Sequence, residues 1–174
     1  DGIARGVGEA TSGTSMGTVG WGPWTLAWYF HERDLASPAA PFGTVFGSPD
    51  NQLQDRRAFT ELRLDTALSD KVGVAARIAL DHSYYNGVYP YDLDNEDVYA
   101  ESFHDWALSA EARFAIEASD VVDVLAGVLV DAGFDNRMQG QSRGDDELTL
   151  DTAHPIMKVA AYSTLAWQLD PALV

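Results

Sequence analysis

Read with a period of two, long stretches of the chain separate into ribbons with one apolar and one polar side. From Phe59 to Leu68, Thr60, Leu62, Leu64, Thr66 and Leu68 fall on one side, and Phe59, Glu61, Arg63, Asp65 and Ala67 on the other. From Val72 to Tyr84, Val72, Val74, Ala76, Ile78, Leu80, His82 and Tyr84 oppose a side that carries Arg77, Asp81 and Ser83. The clearest alternation runs from Trp106 to Glu117: Trp106, Leu108, Ala110, Ala112, Phe114 and Ile116 against Ser109, Glu111, Arg113 and Glu117. Val122–Phe134 follows, with Val122, Val124, Ala126, Val128 and Val130 opposed by Asp123, Gly127 and Asp131, and Thr25–Arg33 and Met157–Leu169 repeat the pattern more weakly. A helix over Ala107–Ala118, rich in alanine and glutamate, is the competing reading there, but strict alternation would scatter its apolar groups around a helix. The pattern predicts strands.

These ribbons exceed the roughly 5–6 residues of an ordinary strand and match the roughly 9–11 that a tilted strand needs to cross a bilayer. Their connections alternate too. Gly20–Pro23, Ser69–Lys71, Ala118–Val121 and Asp170–Ala172 are short, whereas Asp34–Arg57, Tyr85–Asp105 and Asp135–Pro155 are long. Hairpins tied tightly at one rim and loosely at the other are the arrangement of outer-membrane barrels, with short periplasmic turns and long external loops. The expected fold is therefore all-β: about seven antiparallel strands forming hairpins of a transmembrane β-barrel, over residues 1–174. In hydrocarbon every backbone amide must be paired internally, so such a sheet spans only as part of a closed wall. One face then meets lipid tails and the other a wet interior. Glu61, Arg63, Asp65, Arg77, Asp81, Glu111, Arg113, Glu117 and Lys158 all fall on the polar side, which predicts ion-pair ladders there. Trp24 and Trp167 beside short turns, and Tyr84, Tyr85 and Trp106 beside long connections, sit where two interfacial aromatic girdles would lie.

Composition narrows the field. Lys and Arg total 11 against 27 Asp and Glu, a formal charge of −16, which argues against nucleic acid as a partner. With no cysteine, disulfide scaffolds and thiolate chemistry are out. No run of eighteen apolar residues exists, which excludes a membrane helix and leaves a β-barrel open. The chain opens at Asp1 without a signal-peptide pattern, as a processed product or a piece of something longer would.

Several segments resemble, in order, the early and middle barrel hairpins of TonB-dependent outer-membrane receptors. They are Pro41-Phe42-Gly43-Thr44-Val45-Phe46-Gly47, Asp55-Arg56-Arg57 opening a strand, and Asp81-His82-Ser83-Tyr84-Tyr85-Asn86-Gly87-Val88-Tyr89-Pro90-Tyr91-Asp92. Glu111-Ala112-Arg113-Phe114 and Tyr162-Ser163-Thr164-Leu165-Ala166-Trp167 are similar in turn. The resemblance implies part of a 22-stranded, plugged barrel in the outer membrane of a Gram-negative bacterium. Its function would be TonB-dependent uptake of a scarce nutrient such as a siderophore or cobalamin, without enzymatic activity. It also implies partners: lipid, the rest of the barrel and plug, TonB and a small-molecule ligand. The sequence departs from the family in having no plug domain, TonB box or terminal aromatic residue, and it stops at Leu173-Val174 where a further strand is expected, so a fragment is the expectation.

The residues expected to contact ligand are Phe42, Tyr89, Tyr91 and Asp92, on the long connections. Asp92, Asp94, Glu96, Asp97, Glu101 and Asp105 form a stretch without Lys or Arg. Asp92-x-Asp94-x-Glu96 starts like an EF-hand loop, but Asp97 replaces the turn glycine and Phe103 stands where the closing glutamate belongs. Loose Ca2+ binding at Asp92, Asp94 and Glu96 is one reading and a solvated acidic loop the other; no further cofactor is expected. Gly13-Thr14-Ser15-Met16-Gly17 matches a nucleophile elbow without its apolar strand and following helix, and reads better as a glycine-rich barrel strand. Gly6-Val7-Gly8 lacks the third glycine of a dinucleotide loop. His31, His82, His104 and His154 show no metal-ligand spacing, and Arg143-Gly144-Asp145 reads as loop. The alternative from another class is a soluble secreted β-sandwich or barrel that binds carbohydrate, in which Val122–Val130 would pack into a protein core.

Overall fold

A computed structural model describes residues 7–92, 97–143, 145 and 147–168. They form one antiparallel sheet of eight strands: β1 (Ala10–Trp21), β2 (Trp24–Ala36), β3 (Gln52–Ser69), β4 (Val72–Pro90), β5 (Val98–Ser119), β6 (Val122–Ser142), β7 (Leu150–Ala153) and β8 (Ile156–Trp167). Each strand pairs with the next in sequence as far as β6, whose far edge is shared by two strands. β7 pairs with Arg137–Gly140 and β8 with Val122–Gly133. They lie in line, interrupted at His154-Pro155, where proline cannot donate to a ladder. Asn136 bridges the break: His154 N–H donates to its carbonyl (3.1 Å) and its Nδ2 to the His154 carbonyl (3.2 Å). The sheet thus has seven staves. β1 and β8 are its edges, and because neighbouring staves alternate in direction the two edges run the same way.

Through the middle of the strands the register keeps the charged side chains on one face. Leu26, Leu62, Ile78, Ala110, Val130 and Val159 make one continuous row across β2, β3, β4, β5, β6 and β8. Ala27, Glu61, Ala79, Ser109, Asp131 and Lys158 make a row on the opposite face. A one-residue slip would exchange the faces, so the alternation read from sequence fixes the pairing.

Two-residue turns join β1 to β2, β3 to β4 and β5 to β6 at one rim. Gly22 carries φ +58° in the first, a conformation glycine adopts freely. The other two are built alike. The Ser69 and Ser119 hydroxyls accept from the N–H two residues on (3.3 and 3.4 Å), and the ladder shifts by one residue beside each. At the opposite rim the connections are longer but much shorter than expected, since β4 runs to Pro90 and β5 begins at Val98. The predicted loop Asp34–Arg57 keeps a connection over residues 37–51 between β2 and β3, whereas Tyr85–Asp105 and Asp135–Pro155 are largely strand. There the chain leaves the zone where the faces differ in polarity, and paired backbone continues without an apolar/polar signature.

No second layer covers the sheet. Among the described residues, the elements in contact are all hydrogen-bonded neighbours. The apolar side therefore stays open: Ile78 is 47% exposed and Val128 52%. The core that a β-sandwich would build around Val122–Val130 is not formed.

Candidate functional site

The apolar face holds a band without Asp, Glu, Lys or Arg. On β3, β4, β5, β6 and β8 it spans Ala58–Leu68, Val72–His82, Trp106–Ile116, Val122–Ala132 and Met157–Trp167, eleven residues each. Trp21, Trp24 and Trp167 border it on the tight-turn side. Tyr84, His82, His104 and Trp106 border it on the other. There the His82 and Trp106 rings stack at 4.1 Å, and the indole Nε1–H of Trp106 donates to His104 Nε2 (3.0 Å). Beyond this border charge appears on the same face at once: Arg56 pairs with Glu32 (2.6 Å) and lies over the Tyr84 ring. One expectation is corrected. Tyr85 belongs to the polar face, because neighbours in a strand point oppositely, and its hydroxyl bonds that of Tyr89.

The polar face carries all nine charged residues expected there, and several are joined across strands. Arg63 of β3 pairs with Glu61 on the same strand. Arg77 of β4 donates through Nη1 to Glu61 (3.4 Å) and through Nε to Glu111 of β5 (2.9 Å). The Tyr162 hydroxyl of β8 donates to Glu111 Oε1 (2.6 Å), reaching over β6. It can do so because Gly127 of β6 lies beneath its ring, where a Cβ would collide with it. Glu61 is 2% exposed, so its charge needs the two arginines beside it. Arg63, Asp65, Arg77, Glu111 and Arg113 line an open hollow of about 330 Å³ along this ladder. The sequence pointed to the ladder's carboxylates and arginines but not to Tyr162, which joins only once the register sets it opposite Gly127.

The expected ligand residues divide at the rim opposite the tight turns. Phe42 sits on a short 3-10 turn, Pro41–Gly43, with φ +56°, and is 80% exposed. Its ring meets Tyr89 edge-on at 5.8 Å. The loop that presents it is pinned by Val45 N–H on the Pro90 carbonyl (2.9 Å) and by Asn51 Nδ2 on the Thr44 hydroxyl (3.0 Å). Tyr89 itself is buried, and its hydroxyl donates to Glu101 (2.9 Å). Burial first, then the hydrogen bonds with Tyr85 and Glu101, hold that phenol far above the usual tyrosine range. Tyr89 is thus buried against Phe42. Tyr91 is exposed, and its N–H donates to the Asp97 carbonyl (2.7 Å). Asp92 accepts from the Asp97 N–H (3.0 Å), which ties the turn between β4 and β5. Asp94 and Glu96, the other expected Ca2+ ligands, lie outside the described residues.

Other expectations fall where the strands dictate. Gly13–Gly17 is extended inside β1, and Ser15 accepts from the Trp28 indole (3.4 Å), with none of the turn a nucleophile elbow needs. His154 lies in the break between β7 and β8, at the opposite edge of the sheet. Arg143 and Asp145 sit in the turn after β6, and Gly144 lies outside the described residues. No protein-family model, curated protein or solved structure matches the chain.

Proposed function

We propose that this sheet is a run of the wall of an outer-membrane β-barrel, its apolar face toward lipid and its charged face toward a wet lumen. The carrying observation is the uncovered band: eleven residues deep on five strands, free of Asp, Glu, Lys and Arg, and bordered on both sides by aromatic rings. Tilted as barrel strands are, eleven residues at about 3.3 Å each cover a slab of about 25 Å, the height of the apolar belt of such barrels. In water a face of this kind would be a large unpartnered apolar surface, which soluble monomers avoid. The opposite face suits a lumen, because its buried glutamate is neutralised within the sheet. The tight turns would lie on the periplasmic side, and Phe42, Tyr91 and Asp92 would face outward.

The resemblance to TonB-dependent receptors carries the reading one step further, to uptake of a small nutrient across the outer membrane of a Gram-negative bacterium. The test has two arms. Fractionation should place the protein in the outer membrane, released by detergent only, with a folded form that migrates differently on a gel before and after boiling. A protein recovered in the soluble fraction without detergent overturns the barrel. In intact cells, Phe42→Ala, Tyr91→Ala and Asp92→Ala should each reduce uptake while the amount inserted stays constant. Tyr89→Phe should act through Phe42. Unchanged uptake in all four removes the outer-rim site.

A further inference from the structure

The row Tyr85, Phe103, Met138, Thr152 crosses β4, β5, β6 and β7 on the charged face, and the row below it reads Ser83, Asp105, Asn136. Together with His154 and Ile156 these residues line a groove of about 300 Å³ at the break between β7 and β8. Its upper wall is apolar: the Tyr85 and Phe103 rings lie tilted at 5.5 Å, beside the partly exposed Met138. Its floor is rich in acceptors. The Asp105 carboxylate makes no hydrogen bond or ion pair among the described residues, its backbone carbonyl alone meeting His82. Asp81, on the row below that, is likewise unpaired among the described residues. Asn136 holds its Oδ1 buried without a donor, its amide pressed over Gly133. Arg57 lies beyond Ser83 on β3, and it makes no ion pair with either carboxylate.

Two tilted rings above the unpaired Asp105 carboxylate form an amphipathic recess, in a protein of charge −16. We infer that this groove binds a small organic cation in which a protonated amine is attached to an apolar ring. The ring would lie against Phe103 and Met138 and the ammonium would donate to Asp105, a charge-assisted bond. An anion would meet the unpaired Asp105 carboxylate, and a plain sugar would leave the apolar wall unfilled. The inference rests on the proposed lumen, because the groove opens on that face.

The test is calorimetric titration of the full-length protein in detergent micelles with three probes of one skeleton: phenethylammonium, 2-phenylethanol and 3-phenylpropionate. The cation should bind at least about tenfold more tightly than the alcohol, the anion not measurably, and Asp105→Asn should bring the cation to the level of the alcohol. Phe103→Ala should weaken cation and alcohol alike. Equal affinity for cation and anion, undiminished cation binding by Asp105→Asn, or no binding by wild-type protein that shows the heat-modifiable folded form overturns the inference. In that last case the barrel stands and the groove alone fails. A protein that never gives a membrane-inserted form fails the barrel, and with it the groove. The probe comparison on the wild type decides the case even if a variant does not fold.

Discussion

The smallest unit with a consequence in this sheet is an aromatic ring laid over a glycine. Tyr162 covers Gly127 and so reaches Glu111, and Trp28 lies over Gly17 and Tyr99 over Gly140 in the same manner. Rings placed this way shield strand glycines that otherwise weaken pairing. Gly127→Val would drive the tyrosine off its seat and cost about 1–3 kcal/mol of folded-state stability. Tyr162→Phe keeps the ring, loses only the bond to a charged acceptor and should lower stability. Denaturant midpoints of the two variants in one lipid check both effects. If Tyr162→Phe behaves as wild type, the hydroxyl contributes nothing to the ladder. These pairs were illegible in the sequence, where Gly127 and Tyr162 stand 35 positions apart and nothing but the register opposes them.

At the level of the strand, the two faces should answer substitution differently. Ile78→Arg puts a cation in the middle of the apolar band and should cost about 2–4 kcal/mol, read as a lower folded fraction in bilayers. Ser109→Arg, on the other face beside Asp131, should change the folded fraction little. Equal losses for both would mean that lipid does not touch the Ile78 side. Outside the band, β7 is held to β6 by four register pairs and by Arg137, which contacts Asp151 at 3.1 Å. The hydrogen bond from Arg137 keeps the Asp151 carboxyl below its ordinary range. The stabilising effect of that pair is thus present above the ordinary aspartate value and lost as pH falls through the depressed one. NMR should show β7 loosening from β6 in acid, and Asp151→Asn should abolish that pH dependence. The central strands were legible because their faces differ in polarity. β7 and the outer halves of β4, β5 and β6 were not, since both of their faces are polar or aromatic and alternation carries no signal there. Asymmetry between the rims survived, because two-residue turns need glycine, proline, serine and aspartate wherever the fold places them.

For the molecule as a whole, the register determines more than any local preference. It sorts nine charged side chains onto one side, leaves a band on the other to uncharged, mostly apolar groups, and provides no second layer for either. The outer-rim residues were only partly legible: exposure separates Phe42 and Tyr91 from the buried Tyr89, and burial depends on how the loop after β2 folds back on the end of β4. Direction adds a constraint of another kind. The outermost staves point the same way, so zipping them together would create a parallel seam in an otherwise antiparallel cylinder. Further copies inserted in the same orientation would repeat that seam at every junction. An all-antiparallel cylinder built on this sheet must insert an odd number of extra staves between the β8 edge and the β1 edge, and its total is then even.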